Sequence, residues 1–193
     1  MNQAELKEKI KKMKDIDSYV KEHGDVKVLG FFGGQNFRGI GPSSLSNFAP
    51  TDFRITFNKM GEVYFSSSEQ AFMFLKAHYF KDAKILNEIK LLGYNPKMAK
   101  ALGRKVRNFD QEAWDGVCEQ LMYLAIKFKF IENGPLRDYL LSTGDAILVE
   151  ASPYDRIWGC GLGLRDDYED YTKWTGENKL GFLLMVLREE LRK

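Results

Sequence analysis

The stretch Ser66-Ser67-Ser68-Glu69-Gln70-Ala71-Phe72-Met73-Phe74-Leu75-Lys76-Ala77-His78 decides how the rest of the chain is read. A serine run followed by an apolar segment is a helix start, and Ser66 with Glu69 has the S-x-x-E spacing of a capping box. In that box the serine accepts from a first-turn N–H and the glutamate reaches back to the cap. Residues 69, 72, 73, 76 and 80 share one helical face through i+3, i+4 and i+7 spacings. Glutamate and lysine are among the residues least often buried without a partner. A face with Glu69, Phe72, Met73 and Lys76 is therefore either a solvated edge or the wall of a pocket.

The chain has 193 residues, 44% hydrophobic and 29% charged, with a formal net charge of +2. That length suits one domain, or one with an extension, and supports a sizeable core. The charge balance alone does not point to nucleic acid or an anionic membrane. No apolar run approaches the ~20 residues of a membrane span. The N-terminus lacks a signal-peptide core, so a cytoplasmic protein is expected. Cys118 and Cys160 are far apart, and His23 and His78 are the only histidines. A disulfide scaffold, a zinc site or a resident cofactor is not expected.

Upstream of the central stretch, Leu6, Ile10, Met13, Ile16 and Val20 recur at helical period among lysines and glutamates. They predict one amphipathic helix over residues 3–22, ended by Gly24-Asp25. Residues 26–32 read as a strand. A polar loop over 35–50 is as long as ordered loops usually get, which favours a functional role. Residues 54–57 and 62–65 read as a hairpin. Downstream, one helix or two short ones are expected over 81–92, and helices over 96–102 and 111–131, the last capped by Asp110 with Trp114, Val117, Leu121, Leu124, Ala125 and Phe128 on its apolar stripe; after Asn133-Gly134-Pro135 a short helix to about residue 141 is expected. A short strand at 146–150 precedes a loop rich in Gly and Pro that contains Asp155, Arg156, Trp158, Gly159 and Gly161. The alternating glycines lack the G-x-x-G step and following helix of a dinucleotide loop; they fit close approach of the backbone instead. A final helix is expected over 179–191. No βαβ rhythm appears, so a parallel α/β sheet is not expected. The fold class is mainly α with a small β element (α+β), divided into an N-terminal helix extension over 1–24 and a domain over 25–193.

The chemistry-bearing residues are carboxylates (Glu69, Asp155), a lysine on the glutamate's helix (Lys76), aromatic plates (Trp114, Trp158), glycine loops and scattered cations. Cations crowd residues 97–107, a solvated face or a phosphate grip. Together these are the parts that hold a phosphorylated ribose and a stacked base. Cleavage of an N-glycosidic bond passes through an oxocarbenium-like state that a carboxylate stabilises.

The series Leu45-Ser46-Asn47-Phe48, Ser68-Glu69-Gln70-Ala71-Phe72, Leu75-Lys76-Ala77, Lys127-Phe128, Thr143-Gly144-Asp145, Leu148-Val149-Glu150-Ala151-Ser152-Pro153, Asp155-Arg156-Ile157-Trp158-Gly159 and Gly176-Glu177-Asn178-Lys179-Leu180-Gly181 resembles the NADAR family, also called YbiA-like. The resemblance spans roughly residues 29–191. It implies a helix-rich YbiA-like single-domain fold and N-glycosidase chemistry. One branch resembles enzymes that hydrolyse phosphoribosylamino-pyrimidine intermediates of riboflavin synthesis. Another resembles ADP-ribosyl glycohydrolases that free guanine in nucleic acid. The resemblance places Glu69, Lys76 and Asp155 as catalytic residues. It places Asn47, Phe48, Arg38, Trp114, Arg156, Trp158, Gly159 and Asn178 around the substrate. Residues 162–175 and the N-terminal helix look specific to this relative.

On that resemblance, Glu69 faces C1′ and either activates water or stabilises the oxocarbenium. Asp155 binds ribose hydroxyls or acts as a second acid/base. Lys76 binds phosphate, forms a salt bridge, or attacks the opened ribose as an amine. The implied partner is a small ribose-phosphate or ADP-ribose-type substrate, free or carried on nucleic acid. A non-catalytic ADP-ribose-binding module would use the same Trp, Gly and Arg features. A structural protein docking through its N-terminal helix is the third class.

Overall fold

The computed structural model describes residues 1–33 and 39–193. In chain order its elements are α1 (Gln3–Lys14), α2 (Ile16–His23), β1 (Val28–Phe31), β2 (Phe53–Phe57), β3 (Gly61–Phe65), α3 (Ser68–Tyr79), α4 (Ala83–Lys90), α5 (Pro96–Gly103), α6 (Gln111–Ile131), α7 (Gly134–Ser142), β4 (Ile147–Glu150) and α8 (Lys179–Leu191). Helix predominates and the strands form two small sheets, the α+β class expected. The chain divides into two compact units, residues 47–134 and residues 1–46 with 135–193.

Residues 47–134 are built around α3. Ala71, Phe72, Phe74, Leu75 and Ala77 are all buried, so this helix is apolar on nearly every side and needs neighbours all round. α4, α5 and α6 supply them. Gly103, near the end of α5, lets that helix approach α3, because a Cβ there would overlap the Met73 side chain. β2 and β3 form an antiparallel hairpin with Phe53 opposite Phe65 and Ile55 opposite Val63. Those four side chains are buried, while Arg54, Thr56, Glu62 and Tyr64 alternate outward at the strand period of two. Asp82 caps α4 and also accepts from the Arg107 backbone and guanidinium, at 2.8 Å from Arg107 N and 2.6 Å from Nη2. Those hydrogen bonds hold its carboxyl well below the usual carboxylate range.

On α6 the buried residues are Cys118, Met122, Tyr123, Ala125, Ile126, Lys129 and Phe130. Of the stripe expected from sequence only Ala125 is among them; Trp114, Val117, Leu121, Leu124 and Phe128 are half-buried. The buried set follows the same helical period, rotated by one position. The rotation escapes sequence because Lys129, wholly buried, counts there as a surface residue.

The other unit corrects one expectation and adds a strand pairing that the sequence did not reveal. The N-terminal segment is two helices, because Asp15 ends α1 and its side chain caps α2 by accepting from Ser18 N. Leu6, Ile10, Met13, Ile16 and Tyr19 are buried, and α1 packs on α8. Beneath it lies a parallel pair, β1 with β4, in register Val28–Ile147 through Phe31–Glu150. A parallel pair requires a long crossover. Here the connection contains all of residues 47–134, so the local rhythm of a βαβ unit is absent from the sequence. Arg188 is 1% exposed; its guanidinium donates to Thr143 Oγ1 at 2.8 Å and to the Tyr19 hydroxyl at 3.3 Å, tying α8 to α2. Burial pulls its pKa down.

Candidate functional site

In residues 47–134 the site begins at the α3 cap. The N-cap is Ser67, whose hydroxyl accepts from Gln70 N at 3.2 Å. Gln70 Oε1 in turn accepts from Ser66 N at 2.8 Å and from the Ser66 hydroxyl at 2.9 Å. Its Nε2 donates to the Ile89 and Leu92 carbonyls at 2.9 and 3.0 Å. The capping pair expected from sequence, Ser66 with Glu69, is thus replaced by Ser67 with Gln70, one residue on. Glu69 is left as the second residue of the helix, 5% exposed, in a side-chain position the cap does not require. The positive end of the helix dipole favours its ionised form.

Asn47 fixes this corner. Its carbonyl accepts from Glu69 N at 3.0 Å, its Oδ1 accepts from the Ser68 hydroxyl at 3.2 Å and its Nδ2 faces Met122 Sδ at 3.1 Å. At 6% exposure its side chain holds the start of α3 against α6. The Phe48 carbonyl accepts from the Tyr94 hydroxyl at 2.7 Å, and Lys100 Nζ stands 5.9 Å from the Phe48 ring centre.

Two turns along α3, Lys76 enters an aromatic box. Its Nζ lies 4.3 Å from the centre of the Phe109 ring and 4.9 Å from that of Trp114. Trp114 also packs 5.4 Å from Phe72 and 6.2 Å from Phe80. Burial pushes the Lys76 amine below its ordinary pKa, while the ring faces stabilise its cation. With Phe72, Met73 and Phe80 buried beside Glu69, the shared face of α3 is not a solvated edge.

Phe109 was missed in the sequence. It precedes the α6 N-cap Asp110, and Trp114 is the fourth helical residue, the N′ and N4 positions of a hydrophobic staple. Their rings are 6.4 Å apart. That pattern was legible, and it is what sets the two walls of the lysine box.

In the other unit, Asp155 Oδ1 accepts from Ile157 N at 3.1 Å and Trp158 N at 2.9 Å, which closes the loop after β4 into a tight turn. Arg156 is exposed and Trp158 half-buried. A Cβ on Gly159 would meet the Asp155 and Glu150 carbonyls at 2.7 and 2.9 Å, so only glycine fits. The close approach expected of these glycines is made to the chain itself. Carbonyls of residues 156–160 accept from the N–H groups of 175–180, including Ile157 O from Lys179 and Trp158 O from Leu180. The first N–H groups of α8 are thereby satisfied by the Asp155–Trp158 turn. Asn178, wholly buried with φ of 49°, spans the gap: its Oδ1 accepts from Glu150 N and its Nδ2 donates to Leu148 O, both at 3.0 Å. Its side chain therefore fastens α8 to β4. Arg38 lies outside the described residues.

The structure brings Asn47, Phe48, Glu69, Lys76 and Trp114 into one unit and Asp155, Arg156, Trp158, Gly159 and Asn178 into the other. Sequence gave no sign of two further buried charges, Lys129 and Glu150. Among the described residues no group of three His, Cys, Asp or Glu side chains is placed to hold a metal ion, and no helix is long and apolar enough to cross a membrane. A cavity of about 250 Å³ beside His23, Lys27 and Asp145 contains none of the predicted site residues.

Comparison with known proteins bears on these features. An N-glycosidase of Acanthamoeba polyphaga mimivirus is 37% identical over 161 residues, covering 83% of this chain and 94% of that protein. An N-glycosidase of Nostoc punctiforme is 36% identical over 147 residues, 76% of this chain and 84% of its own. The solution structure of the Escherichia coli protein YbiA superposes with a TM-score of 0.64 at 30% identity, over 86% of this chain and 88% of that one. The NADAR domain family matches residues 35–192. The chain belongs to the NADAR family and has the YbiA-like fold.

Proposed function

We propose that this protein hydrolyses the N-glycosidic bond between a phosphorylated ribose and a base. Relatives named N-glycosidases, similar over most of both chains, support the hydrolase class. The observation that carries the residue-level proposal is Glu69, a nearly buried carboxylate at a helix N-terminus whose capping is done by Ser67 and Gln70.

An ionised carboxylate suits positive charge developing at C1′. It stabilises the oxocarbenium or takes a proton from the attacking water. It does not suit protonating the leaving base, which then draws its proton from water or from the base itself. Lys76 offers a second route. With its pKa lowered, more of the amine is neutral near pH 7, the form that attacks carbon. On this route ring opening moves a proton to the ribose oxygen. The amine then bonds to C1′ and passes its two protons to the base nitrogen, which leaves as a free amine, and water hydrolyses the resulting imine to return the lysine amine and the free sugar. Trp114, with Phe109, walls the lysine and offers a flat face to a base.

The substrate favoured is a free phosphoribosylamino-pyrimidine of the kind formed in riboflavin synthesis. ADP-ribose carried on guanine in nucleic acid is the second reading, favoured by the cationic face of α5. Incubation with each substrate, following release of base and sugar, tests the proposal. Turnover of neither, with tight binding of ADP-ribose, would make the protein a binding module. Borohydride trapping with mass analysis separates the routes, since only the imine route leaves an adduct on Lys76.

A further inference from the structure

Arg188 on α8 places a positive charge inside its unit, and the groups that hold it are neutral. Thr143 Oγ1 accepts from Nη1 at 2.8 Å and the Tyr19 hydroxyl accepts from Nη2 at 3.3 Å. Its Nε, also buried, meets no hydrogen-bond acceptor among the described residues. Asp145 is the carboxylate that acts on Arg188, and that carboxylate is taken by Arg192 Nη1 at 2.7 Å. A buried charge without a counter-charge of its own is costly, and a bound anion supplies one.

Space for an anion lies beside it. Thr143 and Asp145, with His23, Asp25 and Lys27, line a cavity of about 250 Å³. Arg188 is bonded to Thr143 and also to the Tyr19 hydroxyl, which donates to the Asp145 carbonyl at 3.2 Å, so the guanidinium stands behind the cavity wall. His23 stacks on the Tyr19 ring, with centres 4.1 Å apart. Its Nδ1 lies 2.9 Å from the Tyr19 carbonyl, which can only accept, so Nδ1 carries the ring proton. Nε2 therefore donates only when the ring is charged. Lys27 and Asp25 are exposed, and Glu189 acts on Tyr19 from α8. From Asn178, which fastens the start of α8 to β4, to Arg188 the helix rises ~15 Å, so the cavity and the Asp155 turn lie at opposite ends of it.

We propose that the cavity between the end of α2 and the turn before β4 is a second binding site, for a small phosphomonoester, built from none of the residues assigned to the hydrolase. Lys27, charged His23 and Arg188 behind the wall match a phosphoryl group better than a carboxylate. Phosphate brings close to two charges and three strong acceptor oxygens. The cavity is just under the ~300 Å³ at which pockets for drug-sized ligands begin, which suits a small ester and not a dinucleotide. Occupancy of this site does not require turnover.

The probes are inorganic phosphate, ribose 5-phosphate and sulfate, titrated into the full chain by calorimetry. Wild type is expected to bind phosphate saturably, and ribose 5-phosphate is expected to displace it. Sulfate stays a dianion across the range in which histidine charges, so its binding should tighten between about pH 8 and about pH 6. Lys27→Glu, at an exposed position, is expected to weaken phosphate binding about tenfold or more with an unchanged circular dichroism spectrum. His23→Gln should bind sulfate with little dependence on pH. Lys76→Met and Glu69→Ala should bind phosphate as wild type does. No saturable binding by wild type, equal binding by Lys27→Glu, or phosphate that ribose 5-phosphate does not displace would overturn the proposal. So would binding lost in Lys76→Met and kept in Lys27→Glu, which would put the anion in the lysine box. A protein that binds phosphate through Lys27 but cleaves neither glycoside would keep this site and lose only the hydrolase reading.

Discussion

At the residue scale, the serine run shows how close sequence comes to a site and where it stops. Ser66-x-x-Glu69 and Ser67-x-x-Gln70 both satisfy the capping-box spacing, so spacing alone cannot say which acid or amide is spent on the helix end. The geometry chooses Ser67 and Gln70. Ser67→Ala is therefore expected to cost about 1 kcal/mol in urea unfolding, a loss that Ser66→Ala would not reproduce through the cap. Lys76 was legible as a lysine on the same face, but its aromatic box required the α6 staple, which is contributed from more than thirty residues away. Its depressed pKa has a defined consequence. The folded state releases the Lys76 proton at lower pH than the unfolded chain, so between the folded pKa and the ordinary lysine value the unfolded state binds more protons and stability rises with pH. Lys76→Met removes that contribution, and the stability-versus-pH curve of the variant should be flatter on the alkaline side. If the amine attacks carbon, base release by wild type should also climb as pH rises toward its folded pKa.

At the scale of elements, most helices and the hairpin stand where period and caps put them: α5 after Asn95-Pro96, α6 after Asp110, α8 over Lys179–Leu191. Those signals are local. The turn after β4 is not local, because its glycines answer to residues 175–180 and to the Glu150 carbonyl. Sequence showed that the backbone must come close to something and could not show to what. Gly159→Ala is expected to destabilise by about 1–3 kcal/mol through overpacking against two carbonyls. Asn178→Ala removes both side-chain bonds to β4 and leaves a left-handed backbone without its asparagine, an expected loss of about 2–4 kcal/mol. Thermal unfolding of each variant checks these values.

For the whole molecule, class and family were legible because they rest on composition and on motifs spread over most of the chain. The parallel pairing of β1 with β4 was not, because the two strands are separated by an entire unit and nothing local marks them as partners. Acid sensitivity also belongs to this scale. Asp82, held by Arg107, and Asp145, held by Arg192, both have lowered pKa values. Each unfolded carboxyl binds its proton first, so their contribution is present above about pH 4 and is lost as pH falls through the folded values. Arg107→Met should narrow that acid window, seen as a smaller change in urea midpoint between neutral and acid pH. The most direct measurement is the rate of base release from a phosphoribosylamino-pyrimidine and from ADP-ribosylated guanine strands, by wild type and by Glu69→Ala. Wild type is expected to release base from at least one, and Glu69→Ala to be slower by about 10² to 10⁴; a Glu69→Ala variant that cleaves as fast as wild type would contradict the role assigned to that carboxylate.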